Sequence, residues 1–187
     1  MNLWVAVVIA LLLGIAIGVA VISLVQQGRT RKLRDRFGPE YERVVTETGS
    51  RPAGEARLIE RQHRVERLEL RSLAPAERDR FQSDWRDIQA RFVDDPNGAL
   101  NRADRLISEV MAAQGYPVRD FEQRAEDISV AHPLIVENYR EAHGVAVRNL
   151  QGRATTEDLR KAMLHYRTLF EELAGQHEWL ETERTRT

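Results

Sequence analysis

The sequence contains no cysteine, which excludes disulfides and thiolate metal sites. Lysine is almost as scarce: only Lys32 and Lys161 occur among 28 basic residues, the rest being arginine. A GC-rich coding bias accounts for that preference without any functional demand. Charge of either sign is missing from residues 1–28, and the chain has neither an alternating strand pattern nor an internal repeat. Nucleotide and hydrolase signatures are absent as well. No GxxxxGK[ST], GxGxxG, GxSxG or HExxH occurs, so phosphate-cradling loops, a nucleophile elbow and a helical zinc site have no support. Neither EF-hand spacing nor a pair of Glu-x-x-His motifs on two helices is found.

What is present begins with a long apolar run. From Leu3 to Val25 every residue is apolar, Gly or Ala except Ser23. As a helix this run is roughly 35 Å long, enough to cross a ~30 Å hydrocarbon core. Trp4 falls near one end, at interfacial depth. A cleaved signal peptide would need a basic n-region and a shorter apolar core, and only Met1 and Asn2 precede the run. An uncleaved transmembrane anchor over 1–28 is the expectation, with a cleaved, exported helical protein as the alternative.

Residues 29–36 carry five basic residues, Arg29, Arg31, Lys32, Arg34 and Arg36, against one acidic. This collar, in a basic juxtamembrane linker over 29–38, places the C-terminal side in the cytoplasm by the positive-inside rule. A bacterial inner membrane protein with a single pass and a cytoplasmic domain follows. The collar also attracts anionic lipid, by ~1 kcal/mol per basic residue. Within the run, Ala6, Ala10, Gly14 and Gly18 recur every fourth residue as a ridge of small side chains, and Gly14–Gly18 is a literal GxxxG. Such a ridge lets two backbones approach in lipid, although Gly and Ala are also simply common in membrane helices. Expected partners are therefore the lipid bilayer, a second copy through the transmembrane helix and an unidentified protein.

Beyond the collar every signal is helical, predicting an all-α chain: one N-terminal transmembrane helix, then a small bundle of about seven helices with one core over 39–175 and a polar tail over 176–187. Pro39 starts a short helix that ends at Gly49. A helix over Pro52–Ser72 is dense in Arg and Glu, with Leu58, Ile59, Val65 and Leu68 as a thin stripe, and reads as a solvated helix laced by i,i+4 pairs. Its interleaved acids, and the net −5 of residues 37–187, exclude a nucleic-acid surface. Pro75 opens a helix whose Phe81, Trp85, Ile88 and Phe92 form the clearest core stripe. Asp94-Asp95-Pro96 caps the next, which carries Leu100, Ala103, Leu106, Ile107, Val110 and Met111 and stops at Gly115-Tyr116-Pro117. Phe121, Ala125 and Ile128 mark a short helix, and His132-Pro133 starts another with Ile135, Tyr139, Ala142 and Ala146 inward. Thr155 to Asp158 is a loose capping box for the last helix, Leu159 to Leu173.

Candidate chemistry is thin. His132 and His143 share one predicted helix but stand ~16 Å apart along it, too far to share a metal. His132 reads as a cap and His143 as a neighbour of Tyr139. Asp94-Asp95 is explained by capping, and Glu122–Asp127 reads as the solvated face of a short helix. No catalytic, cofactor or metal residues are expected.

Three strings, FVDDP (Phe92–Pro96), GYPVRDFEQRAEDISVAHP (Gly115–Pro133) and ATTEDLRKAM with the HYR that follows (within Ala154–Phe170), resemble an uncharacterised family of bacterial proteins. Its members carry an N-terminal apolar segment before a helical domain and are described as hypothetical or secreted. The resemblance implies that Phe92–Pro96 and Asp120–Pro133 matter, and carries over no site residues or activity. Taken together, the expectation is a non-enzymatic interaction or scaffold module. The alternative is an enzyme whose site is assembled from Asp120, Glu126, Asp127, His132 and His143.

Overall fold

The computed structural model describes residues 3–175; most side chains between Leu3 and Val25 lie outside the described residues, as does the predicted polar tail over 176–187. Eight helices and no strand occur among the described residues: α1 (Leu3–Phe37), α2 (Pro39–Thr48), α3 (Arg51–Glu66), α4 (Pro75–Arg91), α5 (Pro96–Ala113), α6 (Phe121–Ala131), α7 (Val136–Leu150) and α8 (Thr156–Gly175). The all-α expectation holds, with seven helices after the first among the described residues. Among the described residues no helix is long and apolar enough to cross a membrane. The predicted linker over 29–38 is no loop, since α1 continues without a break through the collar to Phe37.

The chain divides into two compact units, Met1–Leu58 and Ile59–Thr187, where one core had been expected. In the first unit, Gly38 adopts φ +50 and its N–H closes on the Arg34 carbonyl at 2.8 Å, so the chain reverses directly into Pro39. Phe37, Tyr41 and Val44 are fully buried there. Gly49 ends α2 in the left-handed conformation that glycine adopts at least cost. A Cβ on Gly54 would lie 2.9 Å from the Val45 Cα, so α3 rests its backbone against α2 at that point.

In the second unit α4, α5, α6, α7 and α8 pack around one apolar core that runs from Leu73 to Ala174. Trp85 of α4 stacks on Phe170 of α8, with ring centroids 5.1 Å apart. The predicted stripes of α4, α5 and α8 all face inward, Phe92 packing at the edge. Asp95 caps α5 by accepting from the Gly98 N–H at 2.9 Å. Thr155 and Asp158 cap α8 reciprocally, the backbone N–H of each donating to the other's side chain.

Two boundaries differ from expectation. Helix α3 ends at Glu66, not at Ser72. Beyond it the backbone bonds elsewhere: the Arg71 N–H donates to the Gln114 carbonyl at 3.0 Å, and Leu73 is drawn into the core. Helix α7 begins at Val136, not at His132-Pro133. His132 instead terminates α6 (φ −129, ψ 61), because a residue before proline is pushed out of the helical region.

Candidate functional site

Two networks of partly buried charged groups join helices of the second unit. The first is centred on Asp104 of α5. Its Oδ1 accepts from the Tyr166 hydroxyl of α8 at 2.6 Å and lies 3.2 Å from Nδ1 of His143 on α7. The His143 ring stacks on Phe121 of α6 at 3.7 Å between centroids. Phe121 in turn tilts against Tyr139, whose hydroxyl accepts from Nε of the buried Arg124 at 3.0 Å. One carboxylate thus ties α5 to α7 and α8, and the rings behind it bring in α6.

Electrostatics in this network favour fixed protonation states. Burial alone would raise the Asp104 carboxyl, yet hydrogen bonds from His143 and Tyr166, with the positive charge of Arg124, hold it below its ordinary 3.8. Burial and the Asp104 charge push the Tyr166 hydroxyl far above its ordinary range, and burial raises Tyr139 against the pull of Arg124. Both phenols are therefore neutral near neutrality, Tyr166 donating to Asp104 and Tyr139 accepting from Arg124. An Asp–His pair also occurs in hydrolase triads, where the imidazole activates a nucleophile. Here Ser108, one turn along α5, donates back to the Asp104 carbonyl at 3.2 Å. The arrangement is a hydrogen-bonded hub between helices.

The second network corrects the reading of two segments. Glu126 and Asp127 were expected on a solvated face, and the Arg-rich helix was expected to be laced by its own pairs. Instead Asp127 and Arg61 are almost wholly buried. Arg64 donates Nε to Asp127 at 2.9 Å and a terminal nitrogen to Glu126 at 2.9 Å, while Arg61 reaches Glu126 at 2.8 Å. Gln123 adds a donor to Asp127 at 3.1 Å. Burial and the Asp127 charge push the Tyr116 hydroxyl up to about 12. Losing either side of such a cluster strands a buried charge, at a cost of roughly 3–5 kcal/mol. Within α6 the two acids lie on the side away from Ala125 and Ile128, and the arginines of α3 cover that side.

The five residues considered for a scattered enzyme site do not converge. Asp120 caps α6 by accepting from the Gln123 N–H. Glu126 and Asp127 bind the two arginines, and His132 pairs with Glu172 of α8 at 3.1 Å. His143 belongs to the Asp104 hub and stacks on Phe121, which also tilts against Tyr139 one turn back on α7. Among the described residues no group of three metal-capable side chains occurs.

The remaining predicted residues lie in the first unit. Of the small-residue ridge, the side chains of Ala6 and Ala10 lie outside the described residues, whereas Gly14 and Gly18 are exposed and nothing lies within 4 Å of a Cβ placed on either. Of the collar, Arg29, Arg31, Lys32, Arg34 and Arg36 all occupy the last turns of α1 and are exposed. Arg34 pairs with Glu42 at 2.8 Å and lies over the Tyr41 ring.

No family model, no curated protein and no solved structure matches the chain.

Proposed function

We propose that the chain is a single-pass protein of a bacterial inner membrane, anchored by Leu3–Val25, that holds its helical units at the cytoplasmic face as a non-enzymatic interaction or scaffold module. The observation that carries this reading is the character of α1. One uninterrupted helix joins an uncharged stretch to a basic collar, and Trp4, Leu12, Leu13, Ile17 and Leu24 are each more than half exposed along it. Uncovered apolar side chains on one long helix call for a cover, and hydrocarbon is the cover whose thickness the run matches. The collar sets the direction.

The scaffold reading draws on the Asp104 and Arg61–Arg64 networks, whose acids and histidines are each bound to a neighbouring helix. Membrane fractions washed with alkaline carbonate should retain the full chain, and protease added to inverted vesicles should digest the helical units. Recovery of the chain in the wash, or protection of those units, would overturn the anchor or its direction respectively. Pairing through Gly14 and Gly18 is the proposed route to a homodimer. Gly14→Leu with Gly18→Leu should lower self-association of the full chain in phosphatidylcholine bilayers, measured by energy transfer between labelled copies. An unchanged transfer efficiency would remove the ridge from the reading.

A further inference from the structure

Several polar residues at the end of α1 form one continuous face. Ser23, Gln27, Thr30, Arg31 and Arg34 recur at three- and four-residue spacing and share one face. That face lines a cleft of about 760 Å³, within the size range of small-molecule sites, whose other wall is the first turns of α3. Lys32 and Arg36 do not line it.

Four guanidinium groups, those of Arg29, Arg31, Arg34 and Arg51, line the cleft against two carboxylates, Asp35 and Glu55. Glu55 is already engaged, accepting from Thr30 Oγ1 at 2.6 Å and from the Tyr41 hydroxyl at 2.9 Å. Arg34 is held by Glu42. Arg29, Arg31 and Arg51, which line the same cleft, make no ion pair among the described residues. The N-terminal end of the 16-residue α3 adds positive helix-dipole potential on the same side. Guanidinium forks match the oxygen geometry of phosphate and engage it through paired hydrogen bonds.

We propose that this cleft binds a phosphate-bearing anion, and that its source is the headgroup of an anionic phospholipid. The site itself stands on the geometry of the first unit; the choice of a lipid source rests on the anchor reading of α1. A diffuse collar attraction counts charges near the surface without regard to which face they occupy. A site distinguishes Arg51 and Arg31 from Arg36, and that difference is measurable.

The experiment uses the full chain in phosphatidylcholine nanodiscs, titrated calorimetrically with short-chain phosphatidylglycerol and, separately, with inorganic phosphate. R51Q and R31Q should each weaken phosphatidylglycerol binding about tenfold, while R36Q, an equal change of charge, should weaken it less than about twofold. All three positions are exposed, and matching helical circular dichroism spectra would show that folding is retained. R51K, which keeps the charge and loses the fork, should fall between wild type and R51Q. Equal losses for R51Q and R36Q, or no binding of either probe, would overturn the site. Phosphate binding as tight as phosphatidylglycerol, with the same variant pattern, would uphold the site and overturn the headgroup as its source. Release of the chain by carbonate washing would overturn the anchor alone, because the phosphate titration reads the cleft without it.

Discussion

Tyr166 and His132 show how a single buried group decides local energetics. The Tyr166 hydroxyl is the shorter of the two contacts on Asp104 Oδ1, and a hydrogen bond to a charged acceptor contributes about 1.5–3 kcal/mol. Tyr166→Phe should therefore lower the unfolding free energy by an amount in that range, read as a lower urea midpoint at an unchanged m-value. It should also soften the acid dependence. Folded Asp104 holds its proton only below the ordinary 3.8, so the unfolded chain binds more protons in that window and the contribution is lost as pH falls through it. With Tyr166 gone, the slope below about pH 4 becomes shallower. His132 acts at a higher pH. Burial lowers its pKa, although Glu172 pulls the other way through a hydrogen bond and its charge. A base with a depressed folded value stays neutral when the unfolded chain is already charging, so its contribution is present above 6.5 and lost as pH falls below it. Urea midpoints measured from about pH 7 to pH 5 should decline for wild type and decline less for His132→Asn. Equal slopes would remove His132 from the account.

At the scale of the element, backbone geometry makes glycine unequal from one turn to the next. Gly115 stops α5 at φ +94, and a Cβ there would meet the Glu69 carbonyl oxygen at 2.6 Å. Gly152 follows α7 at φ +67 with nothing within 4 Å. Gly152→Ala should cost only the left-handed penalty, about 1–2 kcal/mol. Gly115→Ala should cost clearly more, because the obstructing atom is backbone and its strand of chain is pinned by the bond from Arg71 to Gln114. Similar midpoints for the two variants would show that the Glu69 segment yields. These stops were legible because glycine and proline act through the chain next to them, as did the core stripes of α4, α5 and α8, which need only a 3.6-residue period. Less legible was anything set by distant partners. Nothing local in Arg67–Ala74 says that its backbone bonds to α5. Nothing in the Arg-rich helix says that Arg61 is buried while Arg57 is exposed, since Glu126 is 65 residues away. The Asp104 hub draws on residues from 104 to 166 for the same reason, and a pattern read within one helix cannot assemble it.

For the whole molecule, the question is whether the apolar stretch serves folding or location. Every buried residue of the large core lies between Leu73 and Ala174, and both charged networks lie between Arg61 and Tyr166. Removing residues 1–28 therefore takes no atom from either. A membrane span would satisfy its own backbone within the helix and contribute nothing to a water-facing core. A chain of residues 29–187 should accordingly lose membrane association while keeping the thermal midpoint of the second unit within about 2 °C of the full chain, given that about 1 kcal/mol shifts a domain of this size by several degrees. Near-ultraviolet circular dichroism, through the Trp85–Phe170 stack, would follow that unit specifically. A large drop in midpoint would mean that the apolar stretch packs into the folded protein, and the anchor reading would fall. An unchanged midpoint with continued sedimentation in the membrane fraction would assign membrane binding to the collar and its cleft, leaving α1 without a spanning role.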